Sequence, residues 1–353
     1  MGGIAESAST TIRNSLETLV DDALDRQWSK WPGMKASFSE YQLRQMANDT
    51  RYHLEFIASA LWFEEPALLD DYAVWCKVLF ENLSMPGEWL TGSLDCVAES
   101  LDCALPDSQA ALARSYIEGA VATFRTAPTD TSSFIVPGSP LGSLAQRYLT
   151  AVLDGRRFDA MRMLDAAVES GTPVRDIYLQ VFQPVQREVG RLWLVNQVSV
   201  AQEHYVTAVT QVAMAQLYEH VFTGKESDRT LVAACVGGEL HELGARMVAD
   251  FFEMEQWKTL YLGANTPNAA IIGAVRDADA DVLALSATMA FHVNDIAEII
   301  GLLRADTALA DTRVLVGGYP FNVAPDLWRR VGADGYAPDA TTAPLVAAEL
   351  INA

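Results

Sequence analysis

Apolar residues recur at three- and four-residue spacing along the first 125 positions. The runs are SLETLVDDALDRQW, SEYQLRQMANDTRYHLEFIASALWF, EPALLDDYAVWCKVLFENL, PGEWLTGSLDCVAESL and SQAALARSYIEGAVATF. That period belongs to amphipathic helices, and the second run opens with a serine suited to a cap. Breaks such as FEEP, NLSMPG and ALPDSQ separate the runs, so residues 1–125 are expected to form a compact domain of five or six helices. Residues 126–140, TAPTDTSSFIVPGSP, are rich in Pro, Ser and Thr and read as a linker. From 141 to 224 the helical period returns in four runs with short connections, which predicts an antiparallel four-helix bundle. Pro184, inside the third run, is expected to kink it.

The period changes near TGKESDR. From 225 to 353, short continuous apolar runs alternate with helical stretches: TLVAACV, WKTLYLG, ADVLALSA, TRVLVGG and ADGYA. Unbroken apolar runs suit strands buried on both faces, hence a parallel sheet. Five such β/α units predict a doubly wound, flavodoxin-like sheet whose ligands bind beyond the carboxyl ends of its strands.

Charge narrows the functional classes. The chain has 353 residues and a formal net charge of −21, and its first 125 residues carry 19 acidic against 9 basic side chains. A surface this acidic repels phosphate backbones, so direct nucleic-acid binding is not expected. No apolar run reaches the ~18 residues of a membrane span, and no secretory signal opens the chain. The four cysteines, scattered and outside any zinc spacing, suit a cytoplasmic protein.

Only five histidines occur, and one lies in GGELHELG, directly after the first strand run. A neutral imidazole can ligate a transition metal through one nitrogen while a carboxylate fixes the other. His241 with Glu239 offers that pair, and Gly244 and its neighbours allow a bulky ligand to approach. The alternative is a solvent-facing or capping histidine in a βα loop. Further along, Ser286 and Thr288 stand in SATM, and Gly317 and Gly318 in VLVGGYP, both at predicted strand ends. No Ser-His-Asp set, P-loop or zinc site stands out, and no catalytic residue is assigned.

The acid-x-His-x-x-Gly loop, the serine element and the diglycine together resemble the cobalamin-binding fold shared by methionine synthase, mutases and corrinoid proteins. The resemblance implies that His241 is the lower cobalt ligand and Glu239 its partner. It also implies that Ser286 and Thr288 contact the nucleotide tail, and that Gly317 and Gly318 leave room for it. In the bundle, Trp193 is followed by nine residues and then Glu203–His204. On their own these residues suit a core tryptophan and a solvated face. Their spacing nevertheless resembles CarH-type cobalamin photoreceptors, which implies that they line the upper face of adenosylcobalamin. Two features depart from that family. Leu194 stands where a second cobalt-capturing histidine is expected, and the N-terminal domain is acidic and helical rather than a basic winged helix.

The run NDTRYHLEFIASALWFEEPALLDDYAVWCKVLFENLSMP resembles the helical, globin-like sensor domain of some bacterial light-sensing proteins, and the domain order resembles photocobilins. That implies a bilin, biliverdin, as a second chromophore. Trp62, Trp75, Tyr52, Tyr72 and Phe63 would flank it, Arg51 would pair with a propionate, and His53 would contact the pyrrole nitrogens or a carbonyl. The alternatives are an aromatic helical core with Arg51 and His53 at its surface, or a haem site on His53. The expected function is that of a non-enzymatic photoreceptor that signals through self-association or a protein partner. A corrinoid methyl-transfer protein or a cobalamin carrier is the rival.

Overall fold

The computed structural model describes residues 3–221, 224 and 226–352, apart from the side chain of Met34. Phe222, Thr223 and Lys225, where the expected change from bundle to sheet at 224–225 falls, lie outside the described residues. The chain forms two compact units. One comprises the chain up to Thr129 with segments Met289–Asn294 and Asn322–Arg330. The other comprises Asp130–Thr288, Asp295–Phe321 and the chain from Val331.

The first unit is built on α1 (Ile4–Asn14), α2 (Leu16–Lys30), α3 (Pro32–Ser37), α4 (Glu40–Trp62), α5 (Ala67–Asn82), α6 (Gly87–Ala104) and α7 (Asp107–Thr126). That is seven helices where five or six are expected. Helix α1 precedes the first run read from the sequence, which starts at Ser15, and α3 is too short to show a period. Ser39 and Gln42 form a full capping box at α4, so the serine cap is found where the sequence puts it. Pro66, Pro86 and Pro106 stand at the N-caps of α5, α6 and α7, where a missing N–H and a fixed φ cost little. Leu54, Ile57 and Leu61 bury the inner face of α4. Its backbone also accepts a hydrogen bond from the buried Ser9 on α1 (Ser9 Oγ to Ala58 O, 2.6 Å).

The second unit begins with the bundle: α8 (Gly142–Leu153), α9 (Arg157–Glu169), α10 (Val174–Ile177), α11 (Gln183–Leu194) and α12 (Val200–Leu217). A π-helical turn, Tyr178–Phe182, joins α10 to α11, so the third expected helix is continuous through Pro184. The proline is accommodated by this wider turn, in which the Gln183 N–H reaches Tyr178 O, five residues back.

The sheet has strands β1 (Thr230–Cys235), β2 (Lys258–Tyr261), β3 (Val282–Ser286), β4 (Arg313–Gly317) and β5 (Gly335–Tyr336), each inside its predicted run. All pairings are parallel and the order is β2-β1-β3-β4-β5. This is the doubly wound order whose reversal between β1 and β3 opens a ligand crevice. Helices α13 (Leu243–Met254), α14 (Asn268–Asp277), α15 (Val293–Ala305), α16 (Tyr319–Val323), α17 (Leu327–Arg330) and α18 (Ala343–Asn352) complete the described elements.

Helix α13 fixes the bundle to the sheet. Leu243, Met247 and Phe251 enter the bundle core with Tyr178 and Phe182, whereas Ala249 and Phe252 pack with Leu231 and Trp257 on the sheet. The buried Tyr178 hydroxyl donates to Asp250 Oδ2 at 2.7 Å. The loop from Val236 to Glu242 is therefore held between a rigid strand and a helix buried on two faces.

Candidate functional site

Strand register brings the expected residues to one edge. Cys235 pairs with Ser286, and Ser286 with Gly317, so β1, β3 and β4 end side by side. The loop after β1 turns at Gly238, whose φ is +80°. It places Glu239, fully buried, beneath His241. Glu239 Oε1 accepts from His241 Nδ1 at 2.6 Å and from the His241 backbone N–H at 2.9 Å. Its Oε2 accepts from the Thr288 backbone N–H at 2.6 Å. One carboxylate thus ties the histidine loop to the end of β3. At Thr288 it is the backbone N–H that makes this link.

With Nδ1 engaged, Nε2 is the nitrogen left to face a ligand. The His241 side chain is 60 % exposed. Its pKa is raised by the Glu239 hydrogen bond, against an opposing effect of desolvation, with further contributions from the charges of Glu239 and Glu203. An exposed ring that still suffers desolvation sits in a recess rather than on a convex surface. Leu240 beside it is 72 % exposed, an apolar side chain with no cover. A Cβ at Gly244 would meet nothing within 4 Å, so there is room beside the first turn of α13. These features fit a large, flat, partly apolar group held through a metal on Nε2.

Gly317 and Gly318 need a different account from the sequence expectation. A Cβ at Gly318, where φ is +102°, would lie 2.0 Å from Ala287 O, and one at Gly317 would lie 3.0 Å from Ala337 O. Gly318 is required by this approach of one backbone to another, and at Gly317 a Cβ would be a tight contact, whether or not a nucleotide lies near.

The bundle contributes α12, which a Ser199–Gln202 capping box starts so that Glu203 and His204 fall in its first turn. Glu203 is the bundle residue whose charge reaches His241. His204 Nδ1 pairs with Glu203 Oε2 at 2.6 Å, and its side chain is 75 % exposed. Trp193, one residue from the end of α11, is partly buried and packs against the bundle core, with Leu194 half-buried after it. Sequence reading missed Glu242. Its Oε1 accepts from Gln211 Nε2 of α12 at 2.5 Å, and Tyr261 of β2 donates to its backbone oxygen at 3.1 Å and to Oε2 at 3.3 Å. Only its position next to His241 hinted at a role.

In the first unit, His53 is buried rather than at the surface, and burial pulls its pKa down to about 4. Its Nδ1 lies 2.8 Å from the Tyr72 hydroxyl. Tyr72 stacks on Phe56 at 4.0 Å and on Trp75 at 6.2 Å, and Tyr52 stacks on Phe291 at 5.9 Å. Phe56 was not foreseen. Asp49, one turn before His53, is exposed, and desolvation by its surroundings pushes its carboxyl up to about 6. Arg51 departs from expectation, because its guanidinium is held by both oxygens of Glu17 at 2.7 and 2.8 Å instead of being free for a propionate. Trp62 and Phe63 end α4, about 13 Å along the helix from His53.

Three stretches of the chain match known family models. Residues 229–345 and 144–218 each match a B12 binding domain model, and residues 5–124 match a model described as phycobilisome protein. The HTH-type transcriptional repressor CarA of Myxococcus xanthus is 31% identical over 181 residues, 51% of this chain and 56% of that protein. Dimethylamine corrinoid protein 3 of Methanosarcina acetivorans is 29% identical over 122 residues, 34% of this chain and 56% of the relative. The chain thus spans about half the length of each of these relatives. The solved monomethylamine corrinoid protein of Methanosarcina barkeri aligns with a TM-score of 0.54 at 18% identity, covering 60% of this chain and 99% of that one, which shows a shared fold. Residues 144–218 and 229–345 match B12 binding domain models, and cobalamin binding is the activity these matches support. Among the described residues, no helix is long and apolar enough to cross a membrane.

Proposed function

We propose that this chain is a light sensor that binds adenosylcobalamin between its bundle and its sheet, with cobalt on His241 Nε2. The observation that carries the reading is the His241–Glu239 pair, recessed at the β1/β3 switch point with Glu203 of the bundle acting on it. When bound, this cofactor supplies visible absorption and a cobalt–carbon bond that light breaks. Glu239 holds the imidazole with Nδ1 as the donor, so Nε2 presents its lone pair. Trp193, Glu203 and His204 close the opposite face. The similarity to a transcriptional repressor, together with this Trp-x9-Glu-His spacing, favours sensing. With Leu194 unable to ligate, His204 is the residue nearest in sequence to take a second axial position. Its exposure and its bond to Glu203 leave the ring at the protein surface.

For the N-terminal domain we propose a bilin, biliverdin, beside His53 and Tyr72. The phycobilisome match over residues 5–124 and the buried His53–Tyr72 pair support it. Light-driven repacking of the bundle would change self-association or a partner surface. The net charge of −21 argues against direct contact with DNA.

The second reading, a corrinoid methyl-transfer protein, is favoured by the similarity to dimethylamine corrinoid proteins. Loading with adenosylcobalamin in darkness, followed by illumination, separates the two. A sensor changes its visible spectrum, and one that signals through self-association also changes its elution volume on size exclusion. No light-induced change in the visible spectrum contradicts the sensing account, and an unaltered elution volume on size exclusion removes self-association as its output.

A further inference from the structure

We propose that Glu242 is a positioning residue that latches the cobalt-ligand loop to the cap helix, so that His241 and α12 move as one body. This rests on cobalamin being the occupant of the site. Glu203, Thr207 and Gln211 lie four residues apart and form one stripe along α12. At its upper end Thr207 Oγ1 lies 3.3 Å from Glu203 Oε1 and 3.1 Å from Gln186 Oε1 of α11, which share its one proton. Gln211, two turns below Glu203, donates to Glu242 Oε1 at 2.5 Å. The same carboxylate receives the Tyr261 hydroxyl on Oε2. Gly263, where φ is +84°, stands in contact range of the same carboxylate, since a Cβ built there would lie 3.5 Å from Glu242 Oε2.

Glu239 and Glu242 therefore divide the work on either side of His241. Glu239 orients the ring. Glu242 joins its loop to both walls, the bundle through Gln211 and the sheet through Tyr261. A displacement of α12 reaches the loop through this bond, and a displacement of the loop reaches α12. Without it, the cap is free to lift while the imidazole keeps its orientation.

The test compares Gln211→Ala, Glu242→Ala, the double variant and Gln211→Arg in the full chain. Adenosylcobalamin is loaded in darkness, and its dissociation is followed by capture on excess apo-protein of a second cobalamin binder. Hydrogen exchange of residues 200–217 and 237–243 is measured on the protein without cofactor. Loss of one charge-assisted hydrogen bond should raise the dissociation rate about tenfold or more. Each single alanine variant should show that rise, and the double should show no more than the larger single effect. Gln211→Arg, which keeps a donor to the carboxylate, should restore a slow rate. Both segments should exchange faster in the alanine variants, while the visible spectrum keeps its histidine-ligated form.

Unchanged dissociation and exchange in Gln211→Ala would overturn the latch, as would additive effects in the double variant. Loss of the histidine-ligated spectrum in Gln211→Ala would also overturn it, because the residue would then be shaping the ligand itself. If the unaltered protein binds cobalamin with the spectrum of His241→Ala, the ligand assignment fails and the latch fails with it.

Discussion

Replacing Glu239 by glutamine changes one oxygen to an NH₂ group and almost nothing else in size. The native carboxylate accepts three N–H bonds, two from His241 and one from Thr288, and is fully buried. Glutamine can keep one acceptor. With its carbonyl toward His241, its NH₂ meets the Thr288 N–H; the reverse setting opposes two donors instead of one, so the first is favoured. The cost is one charge-assisted bond, about 1.5–3 kcal/mol, plus about 1–3 kcal/mol for the stranded Thr288 N–H. Relief of the buried carboxylate's desolvation offsets part of this, leaving about 2–3 kcal/mol. Urea unfolding of the cofactor-free chain, followed by circular dichroism, should show that loss. Titration with adenosylcobalamin in darkness should show roughly 10- to 100-fold weaker binding, as expected when the partner of a metal-bound histidine is altered. A variant within about 0.5 kcal/mol of the parent, the range of an uneventful surface change, with the same affinity would refute the clamp.

Gly318→Ala should destabilise the sheet domain by more than about 3 kcal/mol, since a positive φ and a backbone clash act together; a melting temperature within a degree or two of the parent would contradict this. His53 titrates near 4 in the folded chain and near 6.5 when unfolded, so its contribution is complete above 6.5 and is lost as pH falls through 4, by roughly 3 kcal/mol at most. Asp49, raised from 3.8 to about 6, acts in the opposite sense and masks part of this in the parent, so the comparison needed is the parent against His53→Gln, which should gain stability relative to the parent as pH falls from 6.5 to 4; equal slopes would exclude the histidine. Trp193→Ala should alter the photolysis yield of bound adenosylcobalamin by several-fold, measured from bleaching under calibrated light, and an unchanged yield and affinity would remove Trp193 from the upper face.

Much of the architecture can be read in the chain because it is written locally. The unbroken apolar runs LVAACV and DVLALS are long enough to mark buried strands, and their register brings Cys235, Ser286 and Gly317 level without further instruction. Glu239 and His241 stand two residues apart, so their pairing is a property of one loop. What stayed hidden depends on distant neighbours. Arg51 meets Glu17 from 34 positions away, and no local feature distinguishes that partner from a ligand's carboxylate. Gln211 and Glu242 are 31 apart and belong to different layers. Gly318 looks like a ligand-facing glycine in the sequence, but its neighbour is the carbonyl of Ala287, across a β/β contact that only the folded sheet creates. Helix α1 is missed for a milder reason: its sequence, IAESASTTIRN, is short and carries few large apolar residues to mark a period.

The central claim is a bond between one imidazole nitrogen and cobalt, and electron paramagnetic resonance reads it directly. The protein is prepared with natural-abundance nitrogen and again with nitrogen-15 in its histidines, loaded with cobalamin, and reduced to the paramagnetic cobalt(II) state. Ligation by His241 predicts superhyperfine triplets that become doublets with the label and disappear in His241→Ala. Triplets unchanged by the label would assign the axial nitrogen to the cofactor's own base, and the absence of splitting would leave cobalt without a nitrogen ligand; either result contradicts the account.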